Sequence, residues 1–183
     1  MKTHKMFRVL LAAVLFQFIA LLASAQTNIF VAITTQKQGA IKGDATIKGS
    51  EGKIECSSFS TQIISPRDAA SGLASGKRMH KPVVFTMHFS PAAVQLITAA
   101  NTNENITKVE FTFLKPGPTG LMVNAGKVVL TDANIMELEE VMEKTATNPA
   151  DKTLTVKVSL VYRKIETDYD TVQNTDDWSA PVN

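Results

Sequence analysis

A chain of 183 residues holds one domain of ordinary size, and its single cysteine, Cys56, excludes an internal disulfide framework. The formal net charge is +2, but three of the 19 Lys and Arg side chains, Lys2, Lys5 and Arg8, lie in the first 25 residues. Without that segment 16 bases face 17 acids, a net charge of −1 over 158 residues, so bulk charge argues against nucleic acid or an anionic membrane as partner.

The first 25 residues read as a secretory leader. A basic start precedes the apolar run "VLLAAVLFQFIALLA" at 9–23, and Ala23-Ser24-Ala25 is a small-x-small cleavage site. The alternative is a single membrane anchor, for which the apolar run is short. Cleavage would leave a body at 26–170 and a polar tail at 171–183, in a protein secreted or periplasmic and without stable membrane insertion. If the leader is retained, the protein stays in the cytoplasm.

The rest of the chain reads mostly as strand. "NIFVAIT", 28–34, places Ile29, Val31 and Ile33 on one face. "GAIKGDATIKG", 39–49, is a loop or a short strand pair. In "KIECSSFSTQII", 53–64, alternation sets Ile54, Cys56 and Ser58 on one side and Phe59 on the other. A long loop opens at Ser65-Pro66-Arg67-Asp68. "VVFTMHF", 83–89, is the cleanest strand, with Val83, Phe85, Met87 and Phe89 in phase. Ser90 is a candidate N-cap and Pro91 suits the first helical position, so "AAVQLITAA" forms one short helix with Val94, Leu96 and Ile97 inward. "ITKVEFTFLK", 106–115, is a strand and "PGPTG", 116–120, a turn. In the stretch at 121–142, Val128, Val129 and the bend-prone Thr131-Asp132-Ala133-Asn134 suggest a strand pair, or a strand through about Ile135, with continuation through Met136–Val141 as a further reading. "KTATNPAD", 144–151, is a turn, and "TLTVKVSLVYRKIETDY", 153–169, a long strand. The tail is expected to be loose, with Trp178 as its one docking residue. Alternating strands, glycine-rich turns and one helix predict a mainly β fold: a compact barrel of two antiparallel sheets with one short flanking α-helix.

Chemistry is sparse. "SGLASGKRMHKP", 71–82, superficially suggests a phosphate loop, but Gly72 to Gly76 is one residue short of the required spacing. Arg78 stands where a magnesium-binding hydroxyl belongs, and a strand follows where a helix N-terminus is needed. Two readings remain: a flexible surface loop, or a basic, glycine-hinged arm that reaches another subunit. Beyond the leader only His80 and His88 are available as imidazoles, too few for zinc without other ligands. Cys56 and His80 are the only candidates for a small hydrolase, and nothing marks an orienting third group. Asp132, Asp176 and Asp177 lack calcium-loop spacing. No cofactor is implied.

The segment "IISPRDAASGLASGKRMHKPVVFTMHFSPAAVQLITAA", 63–100, resembles the Hcp family, the hemolysin-coregulated proteins that form the inner tube of type VI secretion systems. Its loop has the form SGxxxGKRxHKP, followed by a strand and a short helix. Weaker similarity runs through "NIFVAI", "KVEFTFLK", "VVLTDANI" and "LTVKVSLVYRKIETDY", covering roughly 27–170. The resemblance implies a β-barrel that assembles as hexameric rings stacked into a tube, with no catalytic residues. It implies self-association first, with sheath, spike or effector proteins as further partners, and no nucleic acid. Arg67, Lys77, Arg78, His80 and Lys81 would then meet acidic groups across a subunit contact. The alternative is an exported module of the same fold acting outside a type VI machine.

Overall fold

The structure, a computed structural model, describes residues 27–144 and 152–177. The expected leader, most of the 144–151 turn and Trp178 lie outside the described residues.

The elements follow in the order β1 (Asn28–Thr35), β2 (Gly39–Ile41), β3 (Ile54–Ser60), β4 (Ile63–Ile64), β5 (Met79–His80), β6 (Val83–His88), α1 (Pro91–Asn101), β7 (Ile106–Pro116), β8 (Met122–Lys144), β9 (Lys152–Tyr169) and β10 (Val172–Asp177). All pairings are antiparallel. β9, β6, β3, β1, β7 and β8 pair in that order, and β8 pairs back to β9, so six strands close a barrel in one continuous sheet. Closure removes the free edges that an open sheet presents. β4 and β5 form a separate two-stranded ribbon, and β10 lies on β9.

Alternation explains the interior. Val31 and Ile33 from β1, Val83, Phe85 and Met87 from β6, Val109 and Phe111 from β7, and Val156, Val158 and Leu160 from β9 form the core. Phe111 stands at its aromatic centre, edge-on to Phe59 at 4.8 Å and to Phe85 at 5.4 Å between ring centroids. Phe30 points to the opposite face of β1 and is nonetheless fully buried, beside Asp44, Ala45, Thr46 and Ile47 of the loop after β2.

Several local expectations shift. A register shift between Cys56 and Ser58 flips the phase of β3, so Ser58 is exposed while Phe59 joins Ile54 and Cys56 on the core side. β8 is one strand of 23 residues that passes without interruption through the expected bend, with only Asp132 at a positive φ of 50°. The helix occupies its expected place, but the side it buries is Ala92, Ala93, Leu96 and Ala99, while Val94 is 51% exposed. Ser90 holds the N-cap position with extended backbone and makes no side-chain cap bond. Small alanines let the helix lie close to the sheet, which leaves the bulkier Val94 outside. Residues 172–177, expected to be loose tail, are β10, paired with 164–169 of β9.

Candidate subunit-interface arm

The basic loop leaves the barrel after β3 and returns at β6. Its stalk is the β4–β5 ribbon, in which Ile63 pairs with His80 and Ile64 with Met79, closed by Lys81 N–H donating to Gln62 O at 2.9 Å. Its tip is organised by Asp68. One oxygen, Oδ1, accepts from the amides of Ala70 at 3.1 Å and Ser71 at 2.7 Å and from Ser71 Oγ at 2.7 Å. These bonds hold the carboxyl below its usual range, led by the Ser71 hydroxyl. Asp68 N–H donates to Leu73 O, Gly72 N–H to Asp68 O, and Ser75 N–H to Pro66 O. Gly72 sits at φ +69°, where a side chain is strained. The loop is therefore an arm of defined internal shape, and its tip presents Leu73, 70% exposed.

The five expected contact residues do not act alike. Arg67, Lys77 and Lys81 are exposed. Arg67 donates to Gly72 O at 3.1 Å, and among the described residues Lys77 and Lys81 have no ion pair. Arg78 and His80 turn back onto their own chain. Arg78 forks onto Asp176 of β10, Nε to Oδ2 at 2.7 Å and Nη2 to Oδ1 at 2.5 Å. The His80 ring, 3% exposed, meets Asp176 Oδ2 through Nε2 at 2.7 Å and the Tyr162 hydroxyl through Nδ1 at 3.0 Å. The Arg78 hydrogen bond leads the effects that bring the Asp176 carboxyl down to about 2, and the His80 bond adds to it against the cost of burial. Burial pushes the Tyr162 phenol up. Within the single chain, the acid that Arg78 and His80 meet is Asp176 of β10.

Asp176 and Tyr162 are what sequence reading missed. In the sequence Asp176 stands out only as an acid without calcium-loop spacing, and Tyr162 only as part of the last long strand. The signal that points to them is an acidic pair, Asp176-Asp177, in a segment with no other assigned role. β10 is itself anchored: Arg163 of β9 reaches Asp177 at 2.6 Å through Nη1 and Asp132 of β8 at 2.8 Å through Nε. The nucleophile candidate Cys56 is buried, and burial, helped by Glu55, pushes its thiol up to about 12. A thiol so placed stays protonated and unreactive. No group of three or more metal-binding side chains occurs among the described residues, and none of the described helices is long and apolar enough to cross a membrane.

The family model described as "Type VI secretion system effector, Hcp" matches residues 30–169, which span the barrel from β1 to the end of β9 and include the whole arm. The chain belongs to the Hcp family. It is 31% identical to the "Major exported protein" of Pseudomonas aeruginosa over 169 residues, 85% of this chain and 98% of that protein. A crystal structure of an Hcp protein is 29% identical, with a TM-score of 0.75 over 84% of this chain and all of the other. The secreted Hcp3 of Pseudomonas aeruginosa is 26% identical, with a TM-score of 0.68 over 85% and 100% of the two chains. Hcp proteins are structural components of the type VI secretion tube and not enzymes, and hexameric rings are known for the family.

Proposed function

We propose that this chain closes into a hexameric ring, that the rings stack into a type VI secretion tube carrying effectors, and that the arm at 65–82 is the element that packs on a neighbouring copy. The observation that carries this reading is the family match across 30–169, which takes in barrel and arm together. Physical features support it. A tube needs a rigid wall, and a closed six-stranded barrel supplies one. A ring needs a head-to-tail contact between unlike patches, and an ordered arm with an exposed leucine at its tip and exposed cations along its length is suited to one side of such a contact. Arg67, Lys77 and Lys81 are its outward cations; Arg78 and His80 contribute by holding the arm.

A second reading rests on residues 1–25, whose composition is that of a cleavable leader. In it the chain is an exported Hcp-like module in the periplasm or outside the cell, with no sheath partner. Native mass measurement on the purified protein separates ring from monomer. Six copies, with rings and stacks in negative-stain micrographs, are expected, and a chain that remains monomeric at high concentration refutes the ring. N-terminal sequencing of protein recovered from cells then divides the readings. An intact Met1 places assembly in the cytoplasm, and a start at Gln26 favours the exported module.

A further inference from the structure

The arm's internal hydrogen bonds fix its shape but not its angle to the barrel. Its stalk, β4 and β5, belongs to a ribbon of its own and shares no ladder with the six barrel strands. Between the covalent joins at Ser60 and Val83, the side-chain contacts that tie the arm to the rest of the described residues include Arg78 to Asp176, His80 to Asp176, His80 to Tyr162 and Thr61 to Tyr162. Arg78 and His80 end on the same carboxylate. That carboxylate is carried by β10, which lies beyond the 30–169 span of the family match and is held on β9 by six consecutive pairs and by the Asp177–Arg163–Asp132 bridge.

We infer that Asp176 makes β10 a clasp that sets the pose of the arm before it docks on a second copy of this chain, an inference that rests on the ring reading above. Asp176 is a positioning residue. It orients the arm through a two-point guanidinium contact, which resists rotation as a single contact does not, and through an imidazole packed at 85° against the Tyr162 ring. An arm already fixed loses less conformational freedom on docking, so the clasp strengthens association without touching the partner. It also divides the basic residues by task. Arg78 and His80 face inward to Asp176, and Lys77 and Lys81 are left to face acidic groups of the neighbouring copy.

The test compares the full chain with Asp176→Ala, Asp176→Glu and Arg78→Ala. Arg78→Ala breaks the same contact from the arm's side with β10 untouched, which guards against a clasp variant that simply detaches the strand. Two readouts are taken. Amide exchange is measured in dilute protein at Lys81 and along the β4–β5 stalk, and ring formation is followed as a function of protein concentration. The alanine variants are expected to exchange faster in the stalk with barrel strands unchanged, and to need about tenfold more protein to form rings. Asp176→Glu, which keeps the charge, is expected to recover part of both. Unchanged stalk exchange in both alanine variants overturns the clasp. Faster exchange with ring formation unchanged overturns the positioning role while the ring stands. A wild-type chain that never forms rings sinks the ring reading and the docking half of this inference, and the exchange comparison still judges the clasp itself.

Discussion

Glu104 shows how one carboxylate ties two elements together. It follows α1, and its residue is 4% exposed. Burial alone would raise its pKa, but the amides of Gln38 and Lys37, with the Gln38 and Thr35 side chains, bring it down to about 2. Gln38 N–H donates at 2.9 Å and Gln38 Nε2 at 3.1 Å, so the β1–β2 turn is fastened to the end of the helix. The sign of the pH effect follows from the depressed value. A glutamate normally titrates near 4.5, so the stability drawn from ionised Glu104 is complete above that pH and drains away as pH falls toward about 2. Glu104→Gln should unfold at lower urea than wild type at neutral pH, and the gap between the two should close across that acid window. A gap that persists undiminished at the acid end would mean that the carboxylate's charge is not the source. The sequence "NTNEN" showed Glu104 only as a helix-ending polar residue, because its partners lie 66 and 67 residues away.

At the scale of elements, the strands that alternation revealed are those with one face inside a regular ladder. β6 is the example: Val83, Phe85 and Met87 are buried while Val84 and Thr86 are half-buried and His88 exposed. Where the ladder is irregular, the period misleads. The register shift in β3 put Phe59 on the unexpected side, and the shift between Ile135 and Glu137 in β8 falls where the sequence left open whether the strand ended or ran on. β10 was illegible for another reason. Its sequence, VQNTDD, is polar because one edge and much of its surface meet water, and what holds it is pairing with β9 and ion pairs to distant bases. The loop after β2 is fixed by close backbone approach. Gly43 N–H donates to Gly52 O at 2.8 Å, and a Cβ at Gly43 would fall 2.2 Å from the Lys53 carbonyl oxygen. Gly43→Ala must therefore push the loop off β3 and uncover the Phe30 face, at a cost of about 1–3 kcal/mol. Urea denaturation measures it, and a loss below a few tenths would show that the loop gives way freely.

The whole molecule separates two jobs that the sequence left merged. The barrel and its closed ladder carry stability, and the arm is the part proposed above for association. The sequence of "SGLASGKRMHKP" suggests a contact element but leaves its four basic residues equivalent, because nothing local distinguishes an inward arginine from an outward lysine. The distinction comes from Asp176, 98 residues from Arg78. It sharpens the expected effect of charge reversal. Lys77→Glu with Lys81→Glu should weaken ring formation while leaving thermal unfolding of the barrel nearly unchanged, since both side chains are exposed and carry no ion pair among the described residues. Salt provides the control. The screening length falls from about 10 Å at 0.1 M to about 3 Å at 1 M, so wild-type rings should need more protein as salt rises, and the double variant should show a flatter dependence. Equal assembly by both proteins across that range would remove electrostatics from the contact and leave the exposed Leu73 tip as the part of the arm that binds.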